Sequence, residues 1–427
     1  MTLTTLQLVT LILFGATYVS LVFAFRWKLP IVAAACAALL LWPGLMTPRS
    51  AWAAVNWNVV LLYFGMLLLT ETLVLSKAPA VLAEKLVGEG LSARWAAVLV
   101  CIVAGTISIV VENVAAVLIV APIVLAVARR LKTSPAPLLI GAAVSSNLQG
   151  AATMIGDPPS MLLAGALEMN FNDFFWYRGR LGLFFLVQAA ALMGTAVLWV
   201  VFRRYTGKVP APEAQRLESA IPLLLLVLLV VALAASSVLL PQWELGAGIL
   251  CVVFGAAAAL WWIRRHTART FLRQVWALDW GTGFFIIGIF VVVGALTEVG
   301  LVDVFARALA GASGGSVLVA YTLLVWGSVA GSAFIDNVPF VAAMLPVCAG
   351  LAARLGAPVE LLAFGMVVGA SVGGNITPIG ASANIVAVGI ARREGDAVSF
   401  GRFLAIGLPF TLLSTGIVYL LLWPLWR

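Results

Sequence analysis

Two acid–amide pairs, Glu112-Asn113 and Asp336-Asn337, are the residues of this sequence most suited to chemistry. The first pair is flanked on both sides by valine and other apolar residues. A carboxylate at membrane depth costs about 2.5–3.5 kcal/mol or more, so it persists where it pairs, titrates or binds a cation. The pairs therefore predict proton transfer or ion binding. The alternative for Glu112 is an aqueous loop between two full membrane spans.

Two other segments place glycine, proline and small polar residues inside apolar sequence, at 145–160 and 369–384. Irregular backbone at membrane depth is tolerated only where it is buried in protein or lines a cavity. Unwound carbonyls and half-helix ends can then hold ions, although a simple glycine or proline kink is the plainer interpretation. We predict two broken helices. The substrate- or ion-binding residues predicted from both patterns are Asn113, Asn147, Thr153, Asn337, Asn375, Thr377, Ser382 and Asn384.

Proton coupling is assigned to three acids, Glu112, Asp157 and Asp336. Asp157 precedes two prolines, so it either caps the second half of a broken helix or joins the transport site. Glu71 and Glu298 each follow a threonine near the end of a predicted span. We interpret these two as interfacial or helix-end residues.

Composition restricts the class of protein. Of 427 residues, 63% are hydrophobic and 10% are charged, too few charges to cover a soluble surface. Continuous apolar stretches of about 20 residues favour membrane-spanning helices. The net charge of +8 lies in short loops, so it indicates topology and not nucleic-acid binding. The four cysteines form no CxxC motif, and His266 is the single histidine; we expect no metal and no cofactor.

The two halves of the chain repeat. Residues 108–130 align with 332–354, and Thr153-Met-Ile-Gly156 aligns with Thr377-Pro-Ile-Gly380 at the same offset. Several matches at one offset indicate duplication, which transporters commonly show. The predicted fold is an all-α polytopic membrane protein of two inverted repeats, each with three spans, a re-entrant hairpin, a broken helix and a final span.

The predicted units follow from this alignment. The first inverted repeat is 1–204, the cytoplasmic linker is 205–218 and the second repeat is 219–427. Within the repeats, the hairpins are predicted at 93–130 and 316–353, and the broken helices at 136–169 and 359–391.

Orientation follows from the 25 lysines and arginines. Most of them fall in the cytoplasm when the base of the first hairpin is cytoplasmic, as the positive-inside rule requires. The N-terminus is interpreted as a retained first span. We expect a multi-pass protein of the inner (plasma) membrane with both termini outside.

The hairpin tips and the stretches 150–159 and 373–384 resemble the ion transporter superfamily, most of all the ArsB/NhaD-type permeases. These include arsenite efflux permeases, sodium/proton antiporters and pink-eyed-dilution-type proteins. The resemblance implies a homodimer with a scaffold and a mobile transport domain in each protomer. Related dicarboxylate symporters carry Ser-Asn-Thr at both tips, where this chain has Glu112-Asn-Val and Asp336-Asn-Val. Two acids disfavour a dianionic substrate and suit protons, a cation or a neutral solute.

We therefore expect a proton-coupled antiporter that exports arsenite or antimonite, with sodium/proton antiport and transport of another anion or small solute as alternatives. No P-loop is present, so the chain itself is not an ATPase, and an ATPase subunit is left open. An intramembrane enzyme would need a nucleophile with a base or a metal cluster. The chain has neither an HExxH nor a GxSxG motif. A passive channel is the remaining class. Uphill flux driven by a proton gradient in vesicles would exclude it.

Overall fold

The computed structural model describes residues 3–86, 90–208, 217–265, 275–276 and 278–427. Ten helical segments in these residues are long and apolar enough to cross a membrane. The prediction of an all-α polytopic membrane protein is confirmed. Residues 209–216 of the predicted linker, and His266, lie outside the described residues.

The first half contains two helices joined by a 3₁₀ turn, which together form one membrane-crossing segment, and then a second such segment, a hairpin, a broken helix and a final span. Its helices are α1 (Thr5–Ala24), α2 (Lys28–Leu41), α3 (Pro48–Ala54), α4 (Trp57–Leu75), α5 (Ala78–Leu86), α6 (Ala93–Ser108), α7 (Asn113–Arg130), α8 (Ala136–Gly150), α9 (Pro158–Ala166) and α10 (Leu183–Val201). A short antiparallel hairpin of β1 (Trp176–Tyr177) and β2 (Arg180–Leu181) precedes α10.

The second half has a similar order of elements. Its helices are α11 (Ile221–Leu239), α12 (Gly246–Arg265), α13 (Trp280–Glu298), α14 (Leu301–Ala312), α15 (Val317–Ser332), α16 (Asn337–Leu355), α17 (Val359–Gly373), α18 (Ser382–Arg393) and α19 (Phe400–Trp426). Helices α16 and α18 run slightly past the ranges predicted for the second hairpin and broken helix.

Each predicted hairpin has a first arm of 16 residues, α6 or α15. At 1.5 Å per residue such an arm spans about 24 Å, less than the roughly 30 Å hydrocarbon core. The second arms, α7 and α16, are long enough to cross on their own. The lengths of the first arms favour re-entry from one side, which stays a prediction.

The broken helices form the centre of the molecule. Every residue of α8 except Pro137 is buried, and every residue of α17 except Val359 is buried. Helix α8 stops at Gly150 and the chain resumes as α9 at Pro158. Helix α17 stops at Gly373, continues as a 3₁₀ turn over Gly374–Ile376 and resumes as α18. The irregular backbone thus lies inside protein, where it can be hydrogen-bonded.

Matching helices of the two halves exchange partners. Helix α4 packs on α12 while α2 packs on α13, and α9 packs on α16 while α18 packs on α7. The starts of α6 and α15, and of α7 and α16, differ by the same offset that aligns the sequence. A duplicated chain would show such reciprocity, and the duplication itself stays a prediction. The inverted orientation of the halves stays a prediction.

One arginine, Arg402, joins the halves at the start of α8. Its guanidinium donates to Ser134 Oγ at 2.5 Å and to Asp396 Oδ1 at 2.7 Å. Partial burial of Asp396 raises its pKa, but hydrogen bonds from Ser134 and Arg402 outweigh that effect and lower the pKa. We call this group the Arg402 latch. It ties the loop before α8 to the loop before α19.

A second arginine, Arg178, occupies the matching place at the start of α17. It lies in the turn between β1 and β2, and its Nη1 is 2.7 Å from Glu360 Oε1. Glu360 is only 3% exposed although it is charged. We call this pair the Arg178 latch. Each latch therefore places an arginine of one half at the start of the other half's broken helix.

We predict that Arg178→Gln destabilises the protein by about 1–3 kcal/mol, because it leaves the buried Glu360 carboxylate without its cation. Thermal unfolding in detergent measures this. The double variant Arg178→Gln/Glu360→Gln should recover most of the loss. Arg307→Gln, at an exposed position, is the matched control. Equal losses in the single and double variants would contradict the latch.

Candidate functional site

Both hairpin tips line one cavity of about 280 Å³. Glu112 and Asn113 contribute from the first hairpin, and Asp336 and Asn337 contribute from the second. The remaining walls come from the breaks in the broken helices and from α2, α4 and α13. Of the predicted site residues, the cavity lining includes Glu112, Asn113, Asn147, Asp336, Asn337 and Ser382.

The two tip acids cap the helices that follow them. Glu112 Oε2 accepts the N–H groups of Val114 at 3.1 Å and Ala115 at 3.2 Å. Asp336 Oδ1 accepts the N–H of Val338 at 3.1 Å. The N-terminus of each helix carries a partial positive charge, which stabilises the adjacent carboxylate. The fold therefore holds two acids at the cavity by giving each a helix end to cap.

The two tip amides have different surroundings, although each is 7% exposed. Asn113 Oδ1 accepts a hydrogen bond from Ser108 Oγ at 2.6 Å, and its carbonyl accepts one from Ser146 Oγ at 3.0 Å. At the corresponding position of the second hairpin, Ser332 Oγ is buried with no partner among the described residues. The halves are thus chemically unequal at the tips.

An amide cluster joins the two broken helices. Asn147 Nδ2 donates to Asn375 Oδ1 at 2.7 Å and to Asn384 Oδ1 at 2.9 Å. Asn384 Nδ2 donates in turn to the carbonyls of Gly374 at 2.9 Å and Thr377 at 3.0 Å. Asn375 and Asn384 are fully buried and lie outside the cavity lining. In this structure they position Asn147, which does line the cavity.

The two predicted threonines hold the hairpins to the breaks. Thr377 Oγ1 donates to the carbonyl of Ala333 at 2.5 Å, and Thr153 Oγ1 donates to the carbonyl of Ile109. Both acceptors lie in the tip turns. The threonines therefore lie behind the cavity, at matched positions of the two halves.

Asp157 caps α9 through a hydrogen bond from Ser160 N–H to Oδ1 at 3.0 Å. It is fully buried, and its Oδ2 has no partner among the described residues. It lies outside the cavity lining, but the adjacent Pro158 belongs to it. The capping interpretation thus describes one oxygen of Asp157. A role for the other oxygen in transport stays a prediction.

The sequence interpretation missed several polar residues of the lining. Lys28 Nζ lies 3.5 Å from Asp279 Oδ2 and 2.5 Å from Thr282 Oγ1. Glu71 also lines the cavity, whereas Glu298, at the end of the equivalent helix α13, is exposed. The interfacial interpretation of Glu71 does not describe its position. Asp279 caps α13 as Asn56 caps α4. The sequence match between Asn56-Trp57 and Asp279-Trp280 was therefore the signal that could have identified Asp279.

The fold resembles that of a solved transporter. The crystal structure of the Alcanivorax borkumensis YdaH transporter matches with a TM-score of 0.62 and 17% identity, over 95% of this chain and 99% of that chain. At this identity the similarity concerns the fold alone. The spans and the paired hairpins thus place the chain in the class of polytopic membrane proteins with a transporter fold.

The chain belongs to the citrate transporter family (CitMHS), whose model matches residues 10–369. That family is a member of the ArsB/NhaD-like ion transporter superfamily, so the resemblance indicated by the motifs is confirmed. The family and its relatives are transporters, and the chain is a secondary transporter and not an enzyme.

Three relatives illustrate the breadth of the group. An uncharacterized transporter of Mycobacterium tuberculosis is 32% identical over 385 residues and covers 86% of each chain. Magnetosome protein MamN of Magnetospirillum gryphiswaldense is 27% identical over 436 residues, 94% of this chain and 93% of that one. The human P protein is 26% identical over 407 residues, 77% of this chain and 49% of that one.

We predict that Gly150→Ala destabilises the protein by about 1–3 kcal/mol through overpacking. A Cβ at Gly150 would lie 2.3 Å from Asn113 Oδ1, so the first tip would have to move. The matched control is Gly389→Ala in α18, where a Cβ meets nothing within 4 Å; it should be neutral or stabilising by up to about 1 kcal/mol. Thermal unfolding in detergent compares the two, and changes of the same sign would contradict the close packing of the tip.

Proposed function

We propose that the chain is a proton-coupled antiporter that exports arsenite or antimonite by an elevator-type alternating-access mechanism. The observation that carries this proposal is that Glu112 and Asp336 line one cavity together with Asn113 and Asn337. Acids at matched tips can load and release protons as access alternates. The amides beside them can hold an uncharged hydroxylated solute.

A second cavity, of about 720 Å³, supports alternating access. Its lining includes Asn56, Gly165 and Trp243 and, among the described residues, none from the hairpin tips. Asn56 caps α4 as Asp279 caps α13, so the two cavities lie at matched ends of the halves. If the halves are inverted, these ends face opposite sides of the membrane. Solute could then reach the mobile transport domain through one cavity from each side.

Unpaired acceptors favour a solute that donates hydrogen bonds. Asn147 Oδ1, beside the cavity, and Asp157 Oδ2, behind it, are buried and have no partner among the described residues. A buried acceptor without a donor is costly, so a ligand hydroxyl near either oxygen gains a strong partner. Arsenite and antimonite are uncharged trihydroxides at neutral pH and bring such donors without adding charge.

Sodium/proton antiport is the second candidate. Carboxylate, amide and carbonyl oxygens are the ligands that hard cations prefer, and the cavity lining supplies carboxylates and side-chain amides. The described residues contain no group of three or more His, Cys, Asp or Glu side chains arranged to hold a metal ion. A sodium site here would therefore depend on amide and carbonyl oxygens as well as a carboxylate.

Citrate enters as a candidate through the family description. The cavity lining carries four carboxylates, from Glu71, Glu112, Asp279 and Asp336, against the ammonium of Lys28. A free tricarboxylate would meet like charge on most sides. We therefore rank it behind arsenite and sodium and include it in the test.

The proposed assembly concerns the membrane, the side on which the termini lie and the oligomeric state. The basic loops favour an inner-membrane protein with both termini outside. A homodimer is expected from the superfamily, with a scaffold domain and a mobile transport domain in each protomer. The proposed antiport neither requires nor excludes an ATPase subunit at the cytoplasmic face.

Everted vesicles test the substrate. With an acidic lumen they should accumulate arsenite or antimonite, and the accumulation should collapse with the proton gradient, because protons leaving the lumen drive the solute in. Sodium and citrate are assayed in parallel. Sodium movement against protons without any movement of arsenite would make the second candidate correct, and proton-dependent movement of citrate alone would reject both.

The coupling acids are tested in the same vesicles. Of Glu112→Gln, Asp336→Asn and Asp157→Asn, we expect at least one to exchange solute down its gradient but to lose uphill transport, because an amide keeps the size of the acid and cannot titrate. Glu298→Gln, at an exposed position at the end of α13, the counterpart of α4, is the control and should behave as wild type. Wild-type uphill transport and pH dependence in all three variants would move the coupling role to Glu71.

A further inference from the structure

Lys28 lies among the carboxylates of the cavity. Among the described residues it is the one basic residue of the lining, which also holds Glu71, Glu112, Asp279 and Asp336. The neighbouring Arg26 is exposed and lies 5.6 Å from the ring of Trp27. Two basic residues of the same turn thus have different environments, and only one of them faces the transport cavity.

The ammonium group of Lys28 is held in place on several sides. Its Nζ is 3.5 Å from Asp279 Oδ2 and 2.5 Å from Thr282 Oγ1. It also lies 5.3 Å and 5.8 Å from the ring centroids of Phe25 and Phe285, within the range of cation–π attraction. The side chain is 20% exposed. Such a group is an ordered feature of the cavity wall and not a freely moving surface lysine.

Lys28 begins α2, and the residues that hold it come from α13, the residue that caps α13 and the turn before α2. Helix α2 packs directly on α13. The tip acids come from the hairpins. The ammonium is therefore held on the α2–α13 side of the cavity, whose lining also includes the hairpin acids Glu112 and Asp336. A fixed cation beside an acid-lined space does what a bound alkali ion would do, because it supplies the positive charge that those acids require.

We propose that Lys28 is the resident cation of the cavity, which excludes alkali cations and thereby selects an uncharged solute. This deepens the proposed function, on which it rests for the identity of the transport site. A second cation entering the cavity is repelled by the ammonium group and finds Asp279 already paired. At separations of several ångströms in a partly dry site, one such charge changes cation affinity by roughly tenfold or more.

The experiment measures sodium binding without transport. Purified wild type, Lys28→Gln, Lys28→Arg and Arg26→Gln are titrated with sodium chloride against choline chloride at equal ionic strength, and thermal unfolding and tryptophan fluorescence are followed. Lys28→Gln should respond to sodium at a concentration roughly tenfold or more below wild type. Lys28→Arg keeps the charge and should match wild type. Arg26→Gln removes the same charge two residues away and should also match wild type.

A folded Lys28→Gln protein with the sodium response of wild type would overturn the proposal, and so would a gain of equal size in Arg26→Gln. If Lys28→Gln does not fold, Lys28→Gln/Asp279→Asn is compared with Asp279→Asn alone, because the double variant leaves no unpaired charge between those two positions. The same gain is expected there, and its absence counts against the proposal. Arsenite uptake by wild-type vesicles decides the proposed function separately, so the two can fail independently.

Discussion

The fold depends on satisfying helix ends that lie away from water. A helix that begins inside the protein exposes backbone N–H groups with no partner of their own, and this environment offers no solvent to complete them. Glu112, Asp336 and Asp157 each meet this need by capping the helix that follows. The same residue type is then available to the cavity. The acids proposed for proton coupling are thus also the residues that allow their helices to start where they do.

The rest of the centre follows from this arrangement. Hairpins that end inside the protein need support at their tips, and Thr153 and Thr377 provide it by bonding the tip carbonyls. Breaks in helices leave backbone carbonyls without helical partners, and Asn384 of the amide cluster donates to two of them, those of Gly374 and Thr377. These groups are used within the protein. The cavity is lined in part by the same side chains that satisfy this backbone, since Glu112 and Asp336 both cap helices and belong to its lining.

The sequence was sufficient for the helical class, the hairpin tips and the positions of both breaks, because acids, amides, glycine and proline are rare in apolar helices. It was less informative about which side chains face the cavity. Asn375, Asn384 and Thr377 have suitable chemistry, but their polar groups are used elsewhere. Asn375 and Asn384 bond within the broken helices, and Thr377 bonds the tip of the second hairpin. Glu71 was interpreted as an interfacial or helix-end residue, and Lys28 fell in a loop between predicted spans. Only the packing of α2, α4 and α13 brings them to the cavity. Orientation of that kind depends on contacts far apart in sequence.

The two arginine latches bear on how the chain is made. Arg178 emerges from the ribosome long before Glu360, and Ser134 long before Arg402. The first half therefore enters the membrane before either latch can form. It also enters before α18 and α16, the packing partners of α7 and α9, have been synthesised. Each half carries polar groups and helix faces whose partners lie in the other half. Biosynthesis thus passes through a stage in which the first half alone holds an unpartnered polar centre, and the transport site comes into being only when the last helices of the chain arrive.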